Sequence, residues 1–236
     1  MISHYSHSNM QEVSYSPRIR PFFPVDVMPP ELHPKEARAT TSLEDEFILS
    51  MLKTIELHDS WEKVHAQRSA GLTLALAWRM GVRGKELTDL WRGAILHDLG
   101  KICISSQILH KPGPLTQDEW LIVRRHPEIG LEMLQPIDFL PRVLNVSFCH
   151  HERWDGSGYP RGLRGSEIPW EARLVAVVDV WEALCSDRYY RVALSTKEAR
   201  EYISGEAGTG LDPEILGHFL KMQDETCHKV TLPVKR

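Results

Sequence analysis

The sequence predicts an all-α fold, a helical bundle with no significant sheet. Three observations predict it. Apolar residues recur at helical spacing through most of the chain, helix starts and stops punctuate it, and no useful stretch alternates apolar and polar residues with a period of two.

The first forty residues stand apart. Pro17, Pro21, Pro24, Pro29, Pro30 and Pro34 interrupt helix and strand alike, so 1–40 reads as an extended or disordered arm. From Thr41 the pattern turns helical: Thr41 and Glu44 have the spacing of a capping box, ahead of Phe47, Leu49, Met51, Leu52 and Ile55. A second helix opens at Asp59 or Ser60 and runs to Gly81, a natural stop. A third places Leu87, Leu90, Trp91, Ala94 and Ile95 on one face and leads directly into His97-Asp98. After the Lys111-Pro112-Gly113-Pro114 turn, Thr116 with Glu119 marks another helix start. Further helices are expected near 127–135, 140–151, 171–186 and 195–204. A last one opens with Asp212 as N-cap and Pro213 at its first position. A long loop, 152–170, lies between two of these helices, the ordered domain spans 41–225, and 226–236 is a C-terminal tail.

Composition narrows the class. The 236 residues are 42% hydrophobic and 25% charged, ordinary for a globular protein, and the net charge of -4 gives no basic surface for a nucleic-acid polymer. No run of about 18 apolar residues suggests a membrane span. The N-terminus lacks a signal-peptide pattern, and Cys103, Cys149, Cys185 and Cys227 form no CxxC, which fits a cytoplasmic protein with reduced thiols. Cys149 precedes a His doublet and reads as a small buried residue rather than a ligand.

The chemistry concentrates in His and Asp. His97-Asp98 ends one helical stretch and His150-His151 ends another. Asp179 stands alone in an apolar run, Leu174 to Trp181, where a buried carboxylate needs a cation, a metal or strong hydrogen bonds. With His65 and His126 the candidate ligands are His65, His97, Asp98, His126, His150, His151 and Asp179. Seven N/O donors exceed one tetrahedral zinc and suit two six-coordinate ions, with Asp98 able to bridge ions roughly 3.5–4 Å apart. The absence of Cys from the set favours manganese or iron.

These residues sit in blocks that together are specific: HDLGK (97–101), KPGPLT (111–116), RHPEIG (125–130), HHERWDGSGYPRGLRG (150–165), VVDVWEALCSDRYYR (177–191) and Gly210-Leu211-Asp212-Pro213. In this order, and with a literal Gly158-Tyr159-Pro160, the chain resembles the HD-GYP domain, a subgroup of the HD metal-dependent phosphohydrolases, from about 43 to 222. The resemblance implies hydrolysis of cyclic di-GMP to linear pGpG, with further cleavage to GMP, by water activated between two metals. It implies that His65, His97, Asp98 and Asp179 hold one ion, and Asp98, His126, His150 and His151 the other. Asp98 and Lys101 are the implied catalytic residues. Lys101, Gly158, Tyr159, Pro160, Arg188 and Arg191 are the implied contacts to substrate.

Some positions depart from the pattern. Some members carry a Glu four residues before the first His ligand and bind a third metal; here that position is Trp61. Glu62 lies about 100° round the helix and is expected to point elsewhere, so two metals are expected. Tyr189 replaces the usual Pro of SDRPYR, and Glu182 stands where Asp is usual.

Lys101, three residues after Asp98, shares its face and is placed to stabilise charge on a phosphorane. The glycines of the 152–170 loop permit close approach to a ligand. Trp154 and Tyr159 offer flat faces for guanine, with core packing an equal use for Trp154. Of Arg153, Arg161 and Arg164 in that loop, Arg161 is the one expected beside a phosphate. The alternative use expected for the same loop is docking of a cyclase or sensory partner. Hydrolysis of another cyclic dinucleotide, such as cyclic GMP-AMP, and a non-catalytic receptor or interaction module are the alternative functions.

Overall fold

Helix α1 (Leu43–His58) turns into α2 (Ser60–Arg79) at Asp59, which serves both helices. Its N–H donates to Ile55 O at 2.7 Å, while its side chain caps α2 by accepting from the Trp61 N–H at 2.8 Å. The computed structural model describes residues 43–138, 140–187 and 192–230, with side chains as far as 225. The 1–40 arm, the Thr41 half of the first capping box, Arg188 and Arg191 lie outside the described residues.

The remaining elements are α3 (Gly84–Leu96), a 3-10 turn (Leu99–Cys103), α4 (Ser106–Leu109), α5 (Gln117–Val123), α6 (His126–Leu134), α7 (Pro141–Cys149), a second 3-10 turn (Gly165–Glu167), α8 (Trp170–Cys185), α9 (Thr196–Gly205) and α10 (Pro213–Val230). The fold is all-helical, as the periodicity predicts. The β-pairing among the described residues is one bridge, Ala207 to Leu211. Thr116 and Glu119 form a reciprocal capping box, and so do Ser195 and Glu198. Helix α10 continues past residue 225, the expected edge of the domain. The first 3-10 turn and α4 were not expected, because elements this short carry no periodicity to read.

Helix α2 is the axis of the bundle. Ala66, Ser69, Ala70, Thr73, Ala75 and Ala77 are buried, and side chains this small let α1, α3 and α8 pack closely against it. One apolar cluster joins α2, α3, α8, α9 and α10 and includes Leu76, Leu90, Ile203 and the edge-to-face pair Trp181–Phe219 at 5.3 Å. A second joins α1, α2, α3 and α7 through Ile48, Leu52, Ile95, Leu96, Val143 and Val146. Each large apolar side chain so buried contributes about 1.5–3 kcal/mol. Gly100 lets the first 3-10 turn press on α6: a Cβ there would lie 2.0 Å from the His126 carbonyl oxygen. Among the described residues no helix is long and apolar enough to cross a membrane, and Cys103, Cys149 and Cys185 are free thiols.

Candidate metal centre

The core packing brings together all seven predicted ligands. His65 comes from within α2, and His97 and Asp98 from the junction of α3 with the 3-10 turn. His126 is the first residue of α6, His150 and His151 follow α7, and Asp179 lies within α8. Two sets form, His65 with His97 and Asp98, and Asp98 with His126, His150 and His151; within each set the ligand atoms lie within 4.8 Å of one another.

Asp98 belongs to both sets, one oxygen to each. Oδ2 faces His97 Nε2 at 3.2 Å and His65 Nε2 at 3.6 Å. Oδ1 faces His126 Nε2 at 3.1 Å and His150 Nε2 at 3.7 Å. Asp179 Oδ1 completes the first set, 3.1 Å from His65 Nε2 and 3.8 Å from His97 Nε2.

The imidazoles are turned by their second nitrogens. Nδ1 of His97 donates to Ala94 O at 2.8 Å, Nδ1 of His126 to Val123 O at 2.8 Å, and Nδ1 of His150 to Val146 O at 3.0 Å. A carbonyl oxygen only accepts, so each Nδ1 carries a proton. In the neutral ring the proton-free nitrogen is then Nε2. Yet Nε2 of His65 sits 3.3 Å from Nε2 of His97, and Nε2 of His126 sits 3.3 Å from Nε2 of His150. In neutral rings such buried lone pairs, aimed at one another at this range, repel unless a positive centre, a proton or a metal ion, lies between them. Asp98 Oδ1 is likewise buried and has no hydrogen bond of acceptable geometry, despite its imidazole neighbours. Four imidazole Nε2 atoms that converge, at 3.1–3.7 Å, on the two oxygens of one buried carboxylate fit a divalent cation in each set.

The charge balance tells the same story. Burial opposes a charged imidazole at His65, but Asp179 and Glu182 outweigh it and hold the ring above its ordinary value. At His97 burial is again overcome, here by Asp98 and Asp179, and the shift upward is larger. Burial alone would raise Asp98 and Asp179. The Lys101 and His97 charges hold Asp98 well below the ordinary carboxylate range, and hydrogen bonds from His65 and His97 do the same for Asp179. His150 and His151 are pushed down by burial, so they stay neutral.

A cation entering the first set therefore displaces protons from His65 and His97, whose raised values keep them charged above the ordinary imidazole value of about 6.5. Manganese affinity should thus rise with pH, still climb above pH ~6.5, and fall as the solution is acidified. Titration calorimetry in buffers of different ionisation enthalpy reads the released protons directly; a pH-independent affinity without proton release contradicts this assignment.

Sequence reasoning assigned no role to Glu182 and misplaced Glu62. Glu182 is buried and accepts a hydrogen bond from His65 Nδ1; its other oxygen accepts from Ser186 Oγ at 2.5 Å, with Arg68 at 3.5 Å. It lies one helical turn beyond Asp179, a spacing that was visible in the sequence. A carboxylate behind a ligating imidazole fixes its orientation and basicity. Glu182→Gln should weaken manganese binding by about 10–100-fold, with little change in thermal unfolding of the metal-free protein. Calorimetric titration checks this.

Glu62 is not turned away from the site. Its carboxylate accepts from Lys101 Nζ at 3.0 and 3.3 Å, and Lys101 also reaches Asp98 Oδ2 at 2.6 Å. A long Glu met by a longer Lys from the neighbouring 3-10 turn bridges the offset between the two positions. Trp61, at the position of the absent Glu, stacks on the His65 ring with centroids 5.3 Å apart.

The Gly-rich loop closes one side of the centre. Tyr159 stacks on His151 at 4.9 Å, and Arg124 lies over the other partner of this contact, the Tyr159 ring, at 4.6 Å. Gly158 admits no side chain, since its Cβ would lie 2.3 Å from Arg153 N. Buried Glu152, which follows His151, accepts from the N–H groups of Arg161 at 2.7 Å and Leu163 at 3.0 Å and so folds the loop back on its own start. Pro160 follows Tyr159 through a cis peptide. Arg161 and Arg164 are exposed, while Arg153 pairs with Glu206 at 2.9 Å. Trp154 is half-buried with Arg173 5.7 Å from its ring, which favours packing over base stacking. Cys149 packs with Ile168 and Ala172 and belongs to neither ligand set; burial pushes its thiol up to about 11.

Residues 50–215 match the family model described as HD domain. The chain is 38% identical over 180 residues to the cyclic di-GMP phosphodiesterase response regulator RpfG of Xanthomonas campestris, which covers 75% of this chain and 48% of that protein. It is 33% identical over 182 residues to 3'3'-cGAMP-specific phosphodiesterase 2 of Vibrio cholerae, covering 76% of this chain and 35% of that protein. The match thus spans half or less of the length of these curated relatives. Among solved structures, a HDG"Y"P protein from Bdellovibrio bacteriovorus aligns with a TM-score of 0.59 at 20% identity, covering 76% of this chain and 60% of that one, a likeness of fold.

Proposed function

We propose, from the premise that this chain belongs to the HD domain family and carries the sequence blocks of its HD-GYP subgroup, that it is a metal-dependent phosphodiesterase of cyclic dinucleotides. Cyclic di-GMP is the first substrate, hydrolysed to linear pGpG, and GMP is the product of a second cleavage. The observation that carries this reading is the convergence of four imidazole Nε2 atoms on the two oxygens of Asp98.

In this reading His65, His97, Asp98 and Asp179 hold one ion, and Asp98, His126, His150 and His151 hold the second. Iron or manganese suits a donor set of imidazole and carboxylate without thiolate. Two such ions supply Lewis acidity toward the phosphodiester oxygens and an activated water.

The chain's own groups do the rest. Lys101 is fixed between Asp98 and Glu62, so its ammonium is held at the edge of the cluster rather than swinging in solvent. From there it stabilises negative charge that builds on phosphorus or on the departing ribose oxygen. Gly158 and Pro160 shape the loop, and Tyr159 borders the site beside His151. Arg188 and Arg191 remain the proposed grip on the dinucleotide. The relatives divide between cyclic di-GMP and 3'3'-cGAMP by name, and both are substrates to test.

The test is turnover. The protein is purified anaerobically, its iron and manganese are measured, and cyclic di-GMP and 3'3'-cGAMP are followed by chromatography. Metal-dependent release of linear dinucleotide is expected. A metal-loaded protein that cleaves neither, or an Asp98→Asn variant that cleaves as fast as wild type, ends the proposal.

A further inference from the structure

Beside the ligand cluster lies a cavity of about 210 Å³ whose lining goes beyond the needs of phosphate chemistry. His150, His151 and Tyr159 border it, and so do Val180, Leu211, Tyr202 and Glu206. A cavity of about 150 Å³ admits a benzene ring, so this one has room for a flat bicyclic base. Its apolar and aromatic surfaces suit the faces of such a base.

Glu206 supplies the polar specificity. The other acid of the lining, Glu152, has both oxygens occupied by loop N–H groups. Glu206 Oε2 accepts from Arg153 Nη2 at 2.9 Å, and among the described residues no donor reaches Oε1. The turn that presents Glu206 is fastened to the Gly-rich loop, since the Trp154 N–H donates to Gly210 O at 3.2 Å and the Asp155 N–H to Thr209 O at 2.8 Å. Gly210 is part of the same device: a Cβ there would lie 2.0 Å from Glu206 Oε2 and 2.9 Å from Arg153 Nη1. Only glycine leaves the carboxylate and guanidinium where they are.

The geometry points to Glu206 as the residue that selects guanine, its carboxylate accepting from the N1–H and the exocyclic amine of a base seated in this cavity. The inference rests on the cyclic-dinucleotide reading and sharpens it. A carboxylate offers only acceptors, and a guanine Watson–Crick edge offers two adjacent donors. Arg153 holds the carboxylate in place without exhausting it, because each oxygen has two lone pairs. Adenine presents a lone pair at N1 in the same position, facing the carboxylate, and has one amine rather than two adjacent donors. A site built to bond polar groups discriminates strongly against an analogue that leaves them unpaired. Cyclic di-GMP and 3'3'-cGAMP both carry a guanine that this pocket accepts; cyclic di-AMP does not.

The test uses GMP and AMP as probes, neither of which has a phosphodiester bond to cleave. Dissociation constants are measured by calorimetry on the purified protein, on Glu206→Gln and on Gly210→Ala. Wild type should bind GMP about tenfold or more tighter than AMP. Glu206→Gln should bring the two within about threefold, because its amide opposes guanine N1–H and donates to adenine N1. Gly210→Ala should shift the preference the same way with no change of charge, because its new methyl group displaces the carboxylate. Circular dichroism verifies that both variants fold. A wild type without preference, or variants whose GMP-to-AMP ratio matches wild type, overturns the assignment; the latter is what a purely structural Arg153–Glu206 pair predicts. Absence of cyclic di-GMP turnover bears instead on the phosphodiesterase reading, so the two failures are distinguishable.

Discussion

Asp98→Asn should lower phosphodiester turnover at least about a thousandfold, beyond the loss caused by removing one well-placed hydrogen-bond donor. The reason is the double engagement of this side chain, with Oδ2 toward His65 and His97 and Oδ1 toward His126 and His150. Asparagine keeps the shape but replaces one oxygen with an amide NH2, whose nitrogen lone pair is delocalised into the carbonyl and not available to a cation. Whichever way the amide turns, one ligand set loses its oxygen, and the negative charge opposite Lys101 disappears from both. Metal content should fall with activity, from about two ions per chain to one or none. Elemental analysis beside the chromatographic assay checks both halves of this expectation. Full metal content in the variant would show that Asp98 bridges nothing.

Gly100→Ala should have the largest effect on folding of any single methyl addition near the site. The added carbon would lie 2.0 Å from His126 O and 2.8 Å from Gly130 N, and both are backbone atoms that cannot rotate away. The 3-10 turn and α6 must separate, an overpacking cost of about 3 kcal/mol, the upper end of the usual range. For a domain of this size that lowers the melting temperature by about 6–12 °C. His126 moves with its own carbonyl, and a ligand displaced by about 1 Å costs turnover on the order of a hundredfold. Thermal unfolding and cyclic di-GMP hydrolysis read the two effects separately. A variant that melts with wild type would mean that the two segments do not meet as described.

Much of this architecture was legible in the chain itself. Helices announce their ends, and Asp59, Thr116 with Glu119, and Asp212-Pro213 each did so within a residue or two of where the structure begins a helix. The ligand set was legible for a different reason: an isolated Asp in an apolar helix and a His doublet at a helix end are costly unless something binds them. What escaped was long-range. Nothing local to Glu182 says that His65, 117 positions earlier, will offer it a proton. Nothing local to Glu62 says that Lys101 will cross from another element to meet it. Glu206 was passed over because its significance comes from the cavity, and a cavity is a property of the packed helices rather than of any segment.

The Gly-rich loop has one further consequence. Tyr159 lies flat on His151, and the next residue after that histidine, Glu152, grips the loop's return through the Arg161 and Leu163 amides. Loop and ligand therefore form one mechanical linkage. A force applied at the loop tip, whether from an arriving nucleotide or a docking protein, is delivered to an imidazole of the cluster, so damage to the loop should surface as leakage of metal as well as loss of affinity.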